Sequence, residues 1–116
     1  MPPPPPNSGS TNEVLRGTLD LLILKTITLE PMHGWAIAQR LEQLSREALR
    51  VGQGSLYPAL QRLEEKGWVE SEWRPTSQSR RAKYYELTPA GQRALGAEAA
   101  NWHRYVEMVD LILRTT

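Results

Sequence analysis

The N-terminal part of the chain has the apolar spacing of a helix. Apolar residues recur every three or four positions and predict a helix from about Glu13 to about Leu29. Leu21 and Leu24 lie off the main stripe, so this helix is apolar on more than one face. Because a surface helix buries only one face, we expect the helix to contact a partner chain as well as its own core. The main stripe consists of Leu15, Leu19, Leu22, Ile23 and Ile27.

Two shorter helices are predicted next, with a turn between them. The second helix is expected from about His33, a local capping or packing group, to about Ser45. The third begins near the turn formed by Gly52 and Gly54 and ends at Gly67, which suits the position after a helix C-terminus. The residues predicted to face the core are Ile37, Leu41 and Leu44 in the second helix, and Leu56, Leu60 and Leu63 in the third.

A change of period after Gly67 predicts a β-hairpin. Val69, Ser71 and Trp73 alternate with charged residues, which is typical of a strand with one buried face. The polar loop 75–79 follows, and residues 82–87 are predicted to form the returning strand.

The last helix is predicted to be longer than a small domain can cover. Thr88 and Pro89 are suited to the cap and the first helical position, and the helix is expected to reach about Arg114. Some 25 residues span about 38 Å. A heptad-like seam along this helix would stay exposed in a monomer, so we predict a homodimer. The predicted interface consists of Leu21, Leu24, Leu95, Ala99, Trp102, Val106, Val109 and Leu113.

This order of elements predicts a mainly α fold with a small β-hairpin, a winged helix-turn-helix. We expect a disordered proline-rich leader over residues 1–12, a DNA-binding domain over 13–88 and a dimerisation helix over 89–116. In this geometry the third helix enters the major groove and the hairpin is the wing. Helical patterns alone would equally describe a three-helix core with an ordinary polar surface. The residues predicted to contact DNA from the third helix are Ser55, Tyr57 and Gln61 at base edges, and Arg62 and Lys66 at phosphates.

The charge pattern supports DNA binding locally, although the formal net charge of the whole chain is only +1. Residues 73–85 contain four cations and no acid, so the rest of the chain carries a net charge of −3. Clustered cations on a hairpin fit contact with phosphates. The alternative is a solvated hairpin whose charges only keep an edge strand soluble. The cations are Arg74 together with Arg80, Arg81 and Lys83, and the last three are predicted to contact DNA.

Composition and motifs argue against several other classes of protein. The chain has no cysteine, which excludes disulfides and thiolate metal sites, and its N-terminus lacks the pattern of a signal peptide. The longest apolar stretch, 19–29, contains Asp20 and Lys25 and is too short to cross a bilayer. We find no catalytic motif, and a nucleophile–base pair of Ser55 and His33 would lack an orienting acid. We therefore expect a cytoplasmic protein that is not an enzyme, binds no membrane and needs no metal or cofactor.

Several segments together resemble the PadR family of transcriptional regulators. The combination of Gly-Ser-Leu-Tyr-Pro-Ala-Leu and Arg-Arg-Ala-Lys-Tyr-Tyr is highly specific, and the resemblance extends over about residues 14–114. Many family members have tyrosine where Trp35 stands, a conservative departure. The matching segments are 15–24, 33–37, 54–60, 62–64, 67–69, 80–85 and 87–91.

The resemblance implies a homodimeric regulator, usually a repressor, that binds palindromic operators in double-stranded DNA. It also implies that the C-terminal helix packs on the first helix of the partner. Trp102 matches a tryptophan that some short members of the family place at the dimer interface, where planar aromatic drugs bind. Trp102 thus has two open interpretations, simple dimer packing or the floor of a site for a small aromatic effector. For the whole protein, the alternative is a winged helix that binds another protein and not DNA.

Overall fold

The protein is represented by a computed structural model that describes residues 10–78 and 80–115. The described residues form helices and strands in the predicted order, with one added strand. Residues 1–9 of the predicted leader lie outside the described residues, and residues 10–12 already belong to the first helix. The elements are α1 (Ser10–Thr26), β1 (Met32–His33), α2 (Gly34–Leu44), α3 (Gln53–Glu65), β2 (Val69–Pro75), β3 (Arg81–Leu87) and α4 (Pro89–Arg114).

The first helix begins and ends three residues before its predicted limits. Its last turn is closed by Thr26, whose hydroxyl donates to the carbonyl oxygen of Leu22 at 2.7 Å. A turn then leads to Pro31, and the residue before a proline is disfavoured in helical conformation. Leu29, the predicted last residue of the helix, is therefore an exposed loop residue.

The core lies where α1, α2 and α3 meet the base of the sheet. The inward positions predicted for α3 are confirmed, since Leu56, Leu60 and Leu63 are all buried. In α2 the prediction is correct for Ile37 and Leu41 and wrong for Leu44, which is 65% exposed. Leu44 is the last residue of α2, and the chain turns away directly after it through Arg46 and Glu47, which have positive φ angles of 54° and 67°. The other buried apolar residues are Leu19, Ile23, Leu24, Ile27, Ala59, Val69, Tyr85 and Leu95.

The sheet contains a strand that sequence analysis missed. Its order is β1-β3-β2, with both pairs antiparallel. β1 has two residues and pairs Met32 with Tyr85 and His33 with Tyr84. His33 also caps α2, because its Nδ1 accepts a hydrogen bond from the backbone N–H of Ala36 at 3.2 Å, which confirms the predicted capping role. The start of α2 is therefore tied to the hairpin.

Local capping determines where α3 ends and α4 begins. Gly67 has a φ of 75°, a left-handed conformation that favours glycine, and the N–H of Trp68 donates to the carbonyl oxygen of Leu63. Thr88 caps α4 by accepting from the N–H of Gly91 at 3.0 Å, and Pro89 occupies the first position, as predicted. α4 then runs for 26 residues, a length of about 39 Å. None of the described helices has the length and apolar character needed to cross a membrane.

Candidate nucleic-acid interface

The second and third helices pack closely where α2 begins. The ring of Tyr57 lies so near Gly34 that a Cβ there would be 2.9 Å from the Tyr57 hydroxyl oxygen. A side chain at position 34 would push the tyrosine away, so Gly34 permits this contact between α2 and α3. Ser55, Tyr57 and Gln61 are exposed, which confirms that these residues face outward from α3.

The N-terminus of α3 is open and carries no acidic residue. Gly52 caps the helix without a side-chain hydrogen bond, and the first turn contains no acid. The backbone N–H groups there and the positive end of the helix dipole favour an anion such as a phosphate. The exposed polar side chains of Ser55 and Tyr57 lie beside this terminus.

The wing consists of β2, β3 and the loop between them. Trp73 pairs with Lys83, Ser71 with Tyr85, and Pro75 with Arg81, so these residues share one face of the hairpin. Tyr85 and Val69 are buried on that face, which therefore faces the helices. A cleft of about 430 Å³ lies between the wing and α3. It is lined by Tyr57, Gln61, Glu64, Glu65, Lys83 and Tyr85.

Two of the four cations of the wing have an acidic partner and two have none in the described part of the chain. Arg74 Nε lies 3.0 Å from Glu72 Oε1, and Lys83 Nζ lies 3.5 Å from Glu64 Oε1. Arg80 and Arg81 are exposed and form no ion pair with an acid in the described part of the chain. Lys83, which is predicted to contact DNA, already has an acidic partner in α3, but both side chains keep more than a third of their surface exposed. Its contact with phosphates stays a prediction. The free positive charge of the wing is at its tip.

Arg62, which is predicted to reach a phosphate, also has an acidic partner within the chain. Its Nη2 lies 2.9 Å from Asp20 Oδ1, and both side chains are largely buried. This ion pair joins α3 to α1, and the arginine side chain keeps 31% of its surface exposed, so its contact with a phosphate stays a prediction. Lys66 is exposed at the C-terminal end of α3, with its ammonium 4.6 Å from the centre of the Trp68 ring.

Tyr85 is the residue of the cleft with a clearly shifted pKa. Burial raises the pKa of its hydroxyl above the ordinary value of 10.0, and the nearby Glu64 carboxylate and Tyr57 add to the rise. The phenol therefore stays protonated and neutral throughout the pH range in which DNA binding would be measured. It is able to donate a hydrogen bond into the cleft.

The distal half of α4 carries a wide apolar surface, which we call the α4 strip. Sequence analysis identified Trp102, Val106, Val109 and Leu113 as part of this surface but missed Tyr105 and Ile112, although their spacing from Trp102 and Val109 is also helical. The exposed members range from Trp102, at 39%, to Leu113, at 75%. The strip consists of Trp102, Tyr105, Val106, Val109, Ile112 and Leu113, with Met108 and Leu111 exposed beside it.

Two of the predicted interface residues belong to the core of the single chain. Leu24 is 0% exposed and Leu95 is 8% exposed, so neither has a surface to offer a partner. Burial within the single chain therefore accounts for Leu24, one of the two additional apolar positions of α1 that suggested intermolecular contact. Leu21 and Ala99 keep part of their surface.

Comparisons with known proteins agree with this architecture. A family profile described as the transcriptional regulator PadR-like family matches residues 23–97, more than half of the chain. The chain is 40% identical over 83 residues to the transcriptional regulator Rv3488 of Mycobacterium tuberculosis, a match covering 72% of this chain and 74% of that protein.

Solved structures give the same result. A PadR family transcriptional regulator from Eggerthella lenta is 34% identical, with a TM-score of 0.76 over 91% of this chain and 90% of that one. A transcriptional regulator from Clostridium thermocellum superposes with a TM-score of 0.80 over 88% of this chain and 99% of that one. At 24% identity, this second likeness shows the fold alone.

Proposed function

This chain belongs to the PadR-like family of transcriptional regulators, and from that membership we propose that it is a homodimeric repressor of a pseudo-palindromic operator. Each protomer presents the exposed side of α3 to base edges in the major groove, and the wing tip contacts the flanking phosphates. Ser55, Tyr57 and Gln61 read sequence, whereas Arg80 and Arg81 supply binding energy that does not depend on sequence.

One observation carries this proposal. Arg81 lies on the wing face that turns toward α3, and neither it nor Arg80 has an acidic partner among the described residues. Two unpaired cations thus lie at the tip of the wing, and the first turn of α3 contains no acid that would repel a phosphate. When these cations contact DNA phosphates, the release of counterions favours binding.

The test is binding of the purified protein to the DNA upstream of its own gene. We expect a protected region with two half-sites whose centres lie about 10 base pairs apart, or a multiple of that distance. Selection from random duplexes should recover the same half-site. Tyr57→Phe and Gln61→Ala should change the selected sequence, because they alter the groups that face base edges.

Two results would contradict this proposal. If the protein does not change the electrophoretic mobility of any duplex at low ionic strength, the DNA-binding proposal fails. The alternative, a winged helix that binds another protein, then replaces it. If both variants select the wild-type sequence, α3 does not read bases through these side chains.

The α4 strip supports the proposal of a homodimer. Exposed apolar surfaces of this size on soluble proteins usually contact another chain. α4 carries the strip well beyond Leu95, the point at which it leaves the core. We propose that each α4 packs on its partner along this strip and reaches the partially exposed Leu21 of the partner's α1.

Charging the strip should separate the protomers. Tyr105→Glu combined with Ile112→Glu would bury unpaired carboxylates in the interface, and we expect dimer affinity to fall by at least about a thousandfold. Both side chains are exposed in the single chain, so the protomer should keep its fold. Analytical ultracentrifugation measures the change. Ala100→Glu, an exposed α4 position outside the strip, is the control and should remain dimeric.

A result in which the doubly charged variant sediments like the wild type would place the interface elsewhere. A wild-type protein that is monomeric at working concentrations would overturn the proposed assembly altogether.

Trp102 lies at the start of the strip, with its ring centre 6.1 Å from that of Tyr105. In the proposed dimer this aromatic pair either packs directly on the partner or forms one wall of a site for a flat aromatic effector that releases the operator. Titration with planar aromatic compounds, followed by tryptophan fluorescence, separates the two roles. Only an effector site predicts that the compounds quench the fluorescence and that this quenching is lost in Trp102→Leu.

A further inference from the structure

A single carboxylate of α3 connects both strands of the wing to the helices. Ser71 on β2 donates its hydroxyl hydrogen to Glu64 Oε2, and Lys83 on β3 donates to Glu64 Oε1 at 3.5 Å. Among the side chains described, those of residues 17–78 and 80–115, no other hydrogen bond joins these two strands to a helix. In this part of the chain, the side-chain hydrogen bonds between the wing and α3 thus all involve Glu64.

The strand register explains how one side chain reaches both strands. Ser71 pairs with Tyr85 and Trp73 with Lys83, so Ser71 and Lys83 lie on the same face of adjacent strands. The root of the hairpin is fixed by the buried residues Val69 and Tyr85. Lys83 lies two residues beyond Tyr85 toward the tip, so Glu64 holds the hairpin above its apolar root.

The position of the Glu64 carboxylate is unfavourable for DNA binding unless the residue has a structural role. Glu64 lines the cleft between α3 and the wing, where the proposed function brings DNA phosphates near. A carboxylate there repels phosphates and also neutralises Lys83, one of the few cations on that face. Both effects weaken binding to DNA of any sequence. The simplest benefit that would offset this loss is a fixed position of the wing relative to α3.

We propose that Glu64 is a positioning residue that fixes the angle between the wing and α3, so that both elements fit the same stretch of duplex. This inference rests on the proposed DNA-binding function, and it makes Glu64 a determinant of operator specificity without contact to a base. Without Glu64 the wing moves about its root, and binding to the operator loses its advantage over binding to any other DNA.

The two roles of an acid at this position predict different effects on operator binding. If Glu64 only repels DNA, Glu64→Ala should tighten binding to operator and random duplex by the same factor. If Glu64 positions the wing, Glu64→Ala should tighten binding to random DNA yet reduce the ratio of operator to random affinity by about tenfold. Titration of both duplexes at several salt concentrations gives this ratio directly.

The chain offers matched variants. Glu65→Ala removes the same charge from the adjacent position of α3, where the carboxylate accepts only from Gln61 at 3.3 Å and makes no wing contact. Since Gln61 is one of the proposed base-reading residues, Glu64→Ala and Glu65→Ala are compared in a Gln61→Ala background. In that background Glu65→Ala should raise both affinities and leave their ratio unchanged. Ser71→Ala removes one link to the wing without changing charge, and it should lower the ratio about threefold. Equal ratios for Glu64→Ala and Glu65→Ala would overturn the proposal.

A measurement without DNA separates failure of this inference from failure of the proposed function. Amide hydrogen exchange in the outer wing, residues 72–75 and 81–84, should be about tenfold faster in Glu64→Ala than in the wild type or Glu65→Ala, while exchange in α1 stays the same. Unchanged wing exchange overturns the positioning role even if the protein binds DNA. If wing exchange is faster in Glu64→Ala but the wild-type protein binds no DNA, Glu64 does hold the wing to α3. Only the proposed role of that contact in operator binding then fails.

Discussion

Replacement of both Arg80 and Arg81 by alanine is expected to weaken binding to every duplex by about a thousandfold or more at about 0.1 M salt. The proposed dimer would lose up to four phosphate contacts, and each contact contributes about 0.9 to the slope of log affinity against log salt concentration. The slope should therefore become shallower by as much as about 3.6. Sequence preference should remain, because the side chains at the base edges are untouched.

The matched control removes two other exposed cations. Lys25 on α1 and Arg93 on α4 are exposed and form no ion pair with a described acid, and neither lies on the wing or α3. Lys25→Ala with Arg93→Ala has the same change in net charge and should alter the slope little. A third wing change, Lys83→Ala, should add less than either arginine, since Glu64 already pairs with that ammonium. Equal slopes for the wing double variant and the control double variant would show that the wing does not contact phosphate.

Gly91→Ala is expected to cause the largest loss of stability, about 3 kcal/mol or more, and to lower the melting temperature by more than about 10 °C. A Cβ at position 91 would lie far inside contact distance of the Trp68 carbonyl oxygen and 2.8 Å from Leu87 Cδ1. The oxygen is not free to shift, because it accepts the N–H of Thr88 at 3.1 Å. The first turn of α4 would have to move away from the base of the wing.

The same helix provides the control for this prediction. A Cβ at position 96 would have no neighbouring atom within 4 Å, so Gly96→Ala adds a methyl group in open space. Alanine is favoured over glycine in a helix interior, and this variant should be more stable by up to about 1 kcal/mol. Thermal unfolding followed by circular dichroism measures both changes. If Gly91→Ala melts within a few degrees of the wild type, the close packing of α4 against Trp68 is wrong.

Elements of this fold that depend on near neighbours in the chain could be predicted from the sequence. The leucine spacing of α3, the strand alternation after Gly67 and the cap formed by Thr88 all involve residues within a few positions of one another. The length of α4 and the outward direction of Ser55, Tyr57 and Gln61 follow from helical period alone. For the same reason the winged-helix order of elements was predicted correctly.

The charge pattern was the least reliable guide, because pairing depends on packing. Four cations between residues 73 and 85 were expected to act as one cluster, yet Lys83 is paired with an acid 19 residues away. Arg62 is paired with Asp20, 42 residues away. A sequence shows that a side chain is charged, but which opposite charge lies beside it is known only after the helices are packed.

Close approaches were also decided by the tertiary structure. Gly34 is required by the ring of Tyr57 and Gly91 by the backbone of Trp68, and neither partner is a neighbour in the chain. The two-residue strand β1 exists because β3 offers it an edge, and its own residues carry no strand pattern. The sequence by itself therefore determined the four helices and the hairpin, their order and most of their buried positions, since these depend on local periodicity and capping. The tertiary structure alone decided which cations remain free, which glycines are required and how the wing is held to α3, because each of these depends on residues brought together from distant parts of the chain.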